Sequence, residues 1–148
     1  PSRHLEEPFD GILYAAVVSV GFATMENFFY LDQFGVSVVA ARTIITIPAH
    51  AFMSVPMGYF VAKSRLMIDA SKETQFRYYL PMMTVFQGWI ISAFLHGSYD
   101  FFLTLRMERE AYLQILLMAG ISLWLGRYAL RVSRLKAEGL WLKSDFKS

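Results

Sequence analysis

The chain has 148 residues, 55% of them hydrophobic and only 18% charged, with a net charge of +2 and a mean hydropathy of +0.38. That apolar share is above the ~45–50% of an ordinary soluble domain and predicts a polytopic, all-α membrane protein with one domain and little room for a separate soluble module. The absence of cysteine excludes disulfides, thiolate catalysis and Cys-ligated metal. The basic residues are scattered over loops and tail, so nucleic acid is not an expected partner and membrane lipid is.

Four hydrophobic segments, about 9–31, 36–62, 78–105 and 111–130, each exceed or match the ~20 residues that cross a bilayer, and together predict a bundle of four transmembrane helices. The first opens after Glu7 and Pro8, acid and proline both suiting a helix start, and ends in the turn-like LDQFG. The second contains Pro48 and Pro56 and the third Pro81. Neighbouring helices are expected to satisfy the backbone groups that these prolines free. Gly21, Gly88 and Gly97 offer thin helix surfaces for close approach. A polar loop, 63–77, separates the second and third segments, and a basic tail, 131–148, places Trp141 at a headgroup surface.

With these boundaries 11 Lys and Arg fall on the side of the N-terminus and 2, Arg106 and Arg109, on the other, while Arg42 lies inside the second segment. The positive-inside rule then gives an N-in, C-in topology. Counting a rise of 1.5 Å per residue, Glu26 and Asp100 lie ~8 Å from the outer ends of their segments and His96 ~14 Å, whereas His50 is ~21 Å into the second, near midplane. Glu26, Arg42, His96 and Asp100 are thus expected to share the outer leaflet.

A titratable group at such depth costs several kcal/mol, about 2.5–3.5 for Asp, and normally faces a protein interior or a water-filled cavity. His96 and Asp100 are four residues apart on one helix face, where the carboxylate can hold one imidazole nitrogen and leave the other free. Glu26 from another helix, facing that nitrogen, supplies either a general base for a bound water or, with His96, ligands for a divalent metal such as zinc. Phe22, one turn before Glu26, is placed to exclude water; Asn27 hydrogen-bonds across helices or orients Glu26; Arg42 is a partner for Glu26. His50, deeper and followed one turn later by Ser54, reads as a supporting polar contact. Competing readings are an interhelical Glu26–Arg42 pair alone, a haem ligated by His50 and His96, a proton or ion pathway, and a non-catalytic binding or immunity protein of the same fold.

The strings GFATMENFFY (Phe22, Glu26, Asn27), PAHAFMSVPMGYF (His50, Gly58) and LHGSYDFF (His96, Asp100) resemble successive motifs of the PrsW family of intramembrane proteases, within the larger group of CAAX-protease-like and bacteriocin-immunity membrane proteins. The likeness covers about residues 6 to 104. It implies a bacterial or archaeal plasma-membrane endopeptidase, catalytic residues Glu26, His96 and Asp100, and cleavage of a single-span membrane protein, such as an anti-sigma factor, near its extracytoplasmic boundary. The family pattern also carries an EExxK motif on an earlier helix, with a glutamate expected to act as base. Here Glu6-Glu7 is followed by Pro8, Phe9 and Asp10. The expectation is therefore a core fragment or a divergent member, inactive by itself and prone to pair with a second copy.

Overall fold

The computed structural model describes residues 7–70 and 79–137. These residues form three helices, α1 (Pro8–Ala70), α2 (Tyr79–Thr104) and α3 (Glu108–Ala137). The 63-residue α1 is interrupted at Gly35, whose φ of 79° and ψ of 173° lie outside helical space and in a region open essentially to glycine alone. The chain reverses there. Ser19 on the first arm (8–34) donates to the carbonyl of His50 on the second arm (36–70) at 2.8 Å, and Arg42 reaches back to Glu26 at 3.2 Å. The turn-like LDQFG thus ends the first segment where expected.

The arms approach closely at Gly11 and Gly58. A Cβ built on either glycine would lie 2.4 Å from the other's carbonyl oxygen, so only hydrogen is tolerated at this crossing. Gly88 plays the same part between α2 and the second arm, where an added Cβ would meet that of Phe60 at 2.7 Å. Gly21 and Gly97, expected to do likewise, have nothing within 4 Å of an added Cβ.

Both α2 and α3 pack mainly on α1 and less on each other. One buried cluster joins Ala49, Met53, Tyr99 and Ala111, and another Ile12, Val55 and Ala129. Proline supplies part of the polar stitching. Pro56 has no N–H for the carbonyl of Phe52, four residues earlier, and the Ser122 hydroxyl of α3 donates to that oxygen at 2.9 Å. A neighbouring helix has indeed satisfied a backbone group freed by proline, and the same bond fixes α3 to α1.

Among the described residues two helices, Pro8–Ile68 and Glu108–Arg134, are long and apolar enough to cross a membrane, yet only 22% and 17% of their most apolar windows are buried within the protein. Side chains such as Phe28, Ile44, Phe94 and Leu116 face outward, as in helices solvated by lipid. The third predicted segment forms α2, which is not among these two helices. Helix also continues beyond the apolar segments, through residues 63–70 and 131–137, where Lys63, Arg65, Arg131 and Arg134 can extend their charges away from an apolar stem. The rest of the predicted loop (71–77), the rest of the tail with Trp141, and Glu6 lie outside the described residues.

Candidate metal centre

Glu26 stands on the first arm, His50 on the second and His96 on α2. Each offers one donor atom, and the three atoms lie within 4.8 Å of one another. His50 Nε2 is 3.4 Å from Glu26 Oε2. The two imidazoles meet edge to face with centroids 4.7 Å apart. That spacing leaves no slot for a porphyrin between them and removes the basis of the haem reading.

The depth count separated His50 from the outer pair because it followed Cα positions only. Helical side chains tilt toward the N-terminus of their own helix. In antiparallel arms these tilts oppose, so Glu26 leans toward Phe22 while His50 leans toward Thr46, and the functional ends converge from backbones more than a turn apart. His50 is 2% exposed. It is a full member of the cluster, and the sequence signal for it was the opposed tilt of two helices joined by a tight reversal.

Every expected supporting group has a defined contact. His96 Nδ1 lies 3.0 Å from Asp100 Oδ2, one turn along the same helix. This pairing assigns the proton to Nδ1 and leaves Nε2 as the lone-pair donor. His96 Nε2 is buried and has no hydrogen-bond partner. Phe22 stacks on His50 at 5.8 Å and meets His96 edge-on at 6.3 Å, fixing both rings and screening the cluster. Arg42 donates to Glu26 Oε2 and, from Nε, to Asn27 Oδ1, both at 3.2 Å. Asn27 in turn donates to Thr43 Oγ1 at 3.3 Å, and Arg42 lies over the Tyr30 ring at 3.7 Å. The guanidinium holds one carboxylate oxygen of Glu26 in place by a charge-assisted bond. α2 is anchored beside the cluster by Tyr99, which is buried with Ala49 and Met53 of the second arm.

The family model described as PrsW family intramembrane metalloprotease matches residues 1–125. The chain belongs to the PrsW family. Protease PrsW of Geobacillus kaustophilus is 40% identical over 119 residues, 80% of this chain and 47% of that protein. Protease PrsW of Bacillus subtilis is 38% identical over 104 residues, 70% and 44% of the two, and that of Shouchella clausii 35% over 121, 82% and 51%. The chain spans about half the length of the curated relatives it matches. No solved structure matches it. Family membership and the outward-facing apolar helices together identify an integral membrane protein.

The donor set suits the metal that the family description implies. Two imidazoles and a carboxylate are a common catalytic zinc set, with bonds of about 2.0–2.2 Å and hence ligand separations of about 3.3 Å in a tetrahedron. The Glu26–His50 distance already matches, and the orphaned His96 Nε2 lacks only an acceptor of its lone pair.

Proposed function

We propose that this chain forms the zinc-binding core of an intramembrane endopeptidase, with Glu26, His50 and His96 as the ligands. The observation that carries the reading is the convergence of three donor atoms from three helical segments, one of them a buried imidazole nitrogen with no partner. Zinc in such a setting supplies Lewis-acid polarisation of a peptide carbonyl and an activated water. The chain's own residues perform the supporting work. Asp100 holds the His96 ring and its tautomer, Arg42 and Asn27 fix Glu26, and Phe22 keeps bulk water from the imidazoles. Proton transfer falls to a carboxylate outside this set, the role expected of the family's EExxK glutamate.

In this reading the arms of α1, α2 and α3 make four membrane crossings, N-in and C-in, as supported by the distribution of Lys and Arg. The cluster then lies toward the outer leaflet, and the substrate is a single-span membrane protein cut near its extracytoplasmic boundary; an anti-sigma factor is one such protein. The test is cleavage, by the intact native protein in liposomes, of a synthetic single-span peptide with a Gly-Gly break in its outer third. Wild type cleaves it and loses activity to a chelator with recovery on zinc addition, while Glu26→Gln and His96→Ala insert normally and do not cleave. Variants that cleave like wild type at equal abundance would reduce the cluster to interhelical glue.

A further inference from the structure

An apolar groove of about 780 Å³ runs between the two arms of α1 and α2 and ends at His50 and His96. Its walls include Val18, Met57, Val61 and Trp89, and its α2 face carries Ser92 one turn before His96. Ser92 Oγ is buried and has no hydrogen-bond partner. Other hydroxyls of α2 behave differently, for Thr84, Ser98 and Thr104 turn back onto the carbonyls of Leu80, Leu95 and Asp100. A hydroxyl in apolar surroundings ordinarily makes that local bond because an unpaired polar group there is costly. Ser92 instead lines the groove with its hydroxyl buried and unpaired.

A protease must present its substrate's peptide group to the site, and a transmembrane helix shields its peptide groups in internal hydrogen bonds. The segment being cut therefore has to be extended locally, which frees backbone groups that lipid cannot satisfy. The spacing fits this need. Ser92 and His96 are separated by about 6 Å along α2, from four residues at 1.5 Å each. Two residues of extended chain cover about 6.6 Å. With one peptide group at the metal cluster, the backbone two residues along falls beside Ser92.

Building on the protease reading, we infer that Ser92 is a positioning residue that hydrogen-bonds the backbone of an unwound transmembrane substrate, two residues from the cleaved bond, within this groove. The recognised chemistry is an extended peptide backbone with apolar side chains, independent of sequence. The hydroxyl acts through alignment and does not touch the reacting atoms.

The experiment uses the same synthetic peptide and the intact native protein. Ser92→Ala is expected to lower kcat/KM about 3- to 10-fold, the scale of one hydrogen bond. Peptides carrying a single amide-to-ester replacement at successive positions then locate the contact. Wild type should lose activity selectively for an ester two residues from the cleaved bond, whereas Ser92→Ala should be insensitive to it; Ser92→Thr, retaining the hydroxyl, should restore the selectivity. Equal sensitivity of wild type and Ser92→Ala to every ester overturns the inference even if cleavage itself is normal. A second readout is independent of cleavage. These 148 residues contain no cysteine, so Ser92→Cys can be oxidatively cross-linked to peptides bearing one scanned cysteine, with any other native cysteine removed. Cross-linking confined to residues flanking the Gly-Gly break supports the contact, and uniform or absent cross-linking refutes it. Cross-linking without cleavage would leave the groove contact standing while the protease reading fails.

Discussion

Replacing Gly58 with alanine tests the proposition that the arms of α1 hold the Glu26–His50–His96 cluster together by their close crossing. The new Cβ would lie 2.4 Å from the Gly11 carbonyl oxygen and 2.8 Å from Ala15 Cβ. An ordinary C···O contact is about 3.4 Å, so the arms must part by about 1 Å, and the obstructing atoms are backbone that cannot swing aside. Gly58 lies ~35 Å along the second arm from the reversal at Gly35, and His50 ~22 Å, taking 1.5 Å per residue. If the arms splay about that reversal, a displacement of 1 Å at Gly58 becomes ~0.6 Å between Glu26 and His50. Overpacking of this kind costs about 1–3 kcal/mol. A misplacement of 1 Å in a reacting site costs on the order of 100-fold, so ~0.6 Å corresponds to roughly tenfold in turnover. Unfolding in mixed micelles, zinc affinity by chelator competition, and peptide cleavage would all be measured. Gly120→Ala is the control, because nothing lies within 4 Å of a Cβ there and helix propensity should raise stability by about 0.5–1 kcal/mol. If Gly58→Ala matches wild type in all three measurements, the crossing does not hold the site.

Three further outcomes are expected. Asp100→Asn should weaken zinc binding about 10- to 100-fold by removing the carboxylate that orients His96, with little change in micellar stability; unchanged affinity in the chelator assay would show that the His96–Asp100 contact is idle. Ser122→Ala should cost about 1–3 kcal/mol by leaving the Phe52 carbonyl bare, but almost nothing in a Pro56→Ala background, where residue 56 regains its N–H; a double-mutant cycle in unfolding free energy with no coupling contradicts that account. Gly35→Ala should destabilise the protein by about 1–3 kcal/mol through its φ/ψ alone, and an unfolding curve superimposable on wild type would mean that the reversal is not built as described.

Local chemistry makes much of this arrangement legible in the sequence. Apolar length and proline placement located the helices, LDQFG located the reversal, and the four-residue step from His96 to Asp100 put both on one face. Glu26 and Arg42 were identifiable because charge inside an apolar run demands a partner. What escaped depended on side-chain direction and interhelical distance. The Cα depth of His50 sets it apart from Glu26, whereas its opposed tilt brings the two together. Gly21 and Gly97 looked like contact glycines from composition, but Gly11 and Gly58 hold that place because the register of two antiparallel arms, absent from any local pattern, sets them opposite each other. Helix ends were extended past the apolar runs because long basic side chains let a helix continue while their charges seek water.

The near-loopless reversal at Gly35 has a consequence for how this protein enters a bilayer. Glu26 and Arg42 belong to separate arms, and either arm alone would carry an uncompensated charge into hydrocarbon. Joined so tightly, the arms can form their ion pair, together with the Asn27–Thr43 bond, before the apex of the hairpin crosses. In the proposed four-crossing arrangement the hairpin would thus enter as a paired unit in which opposite charges are already matched, with Glu26 carried to its depth by the arginine that holds it.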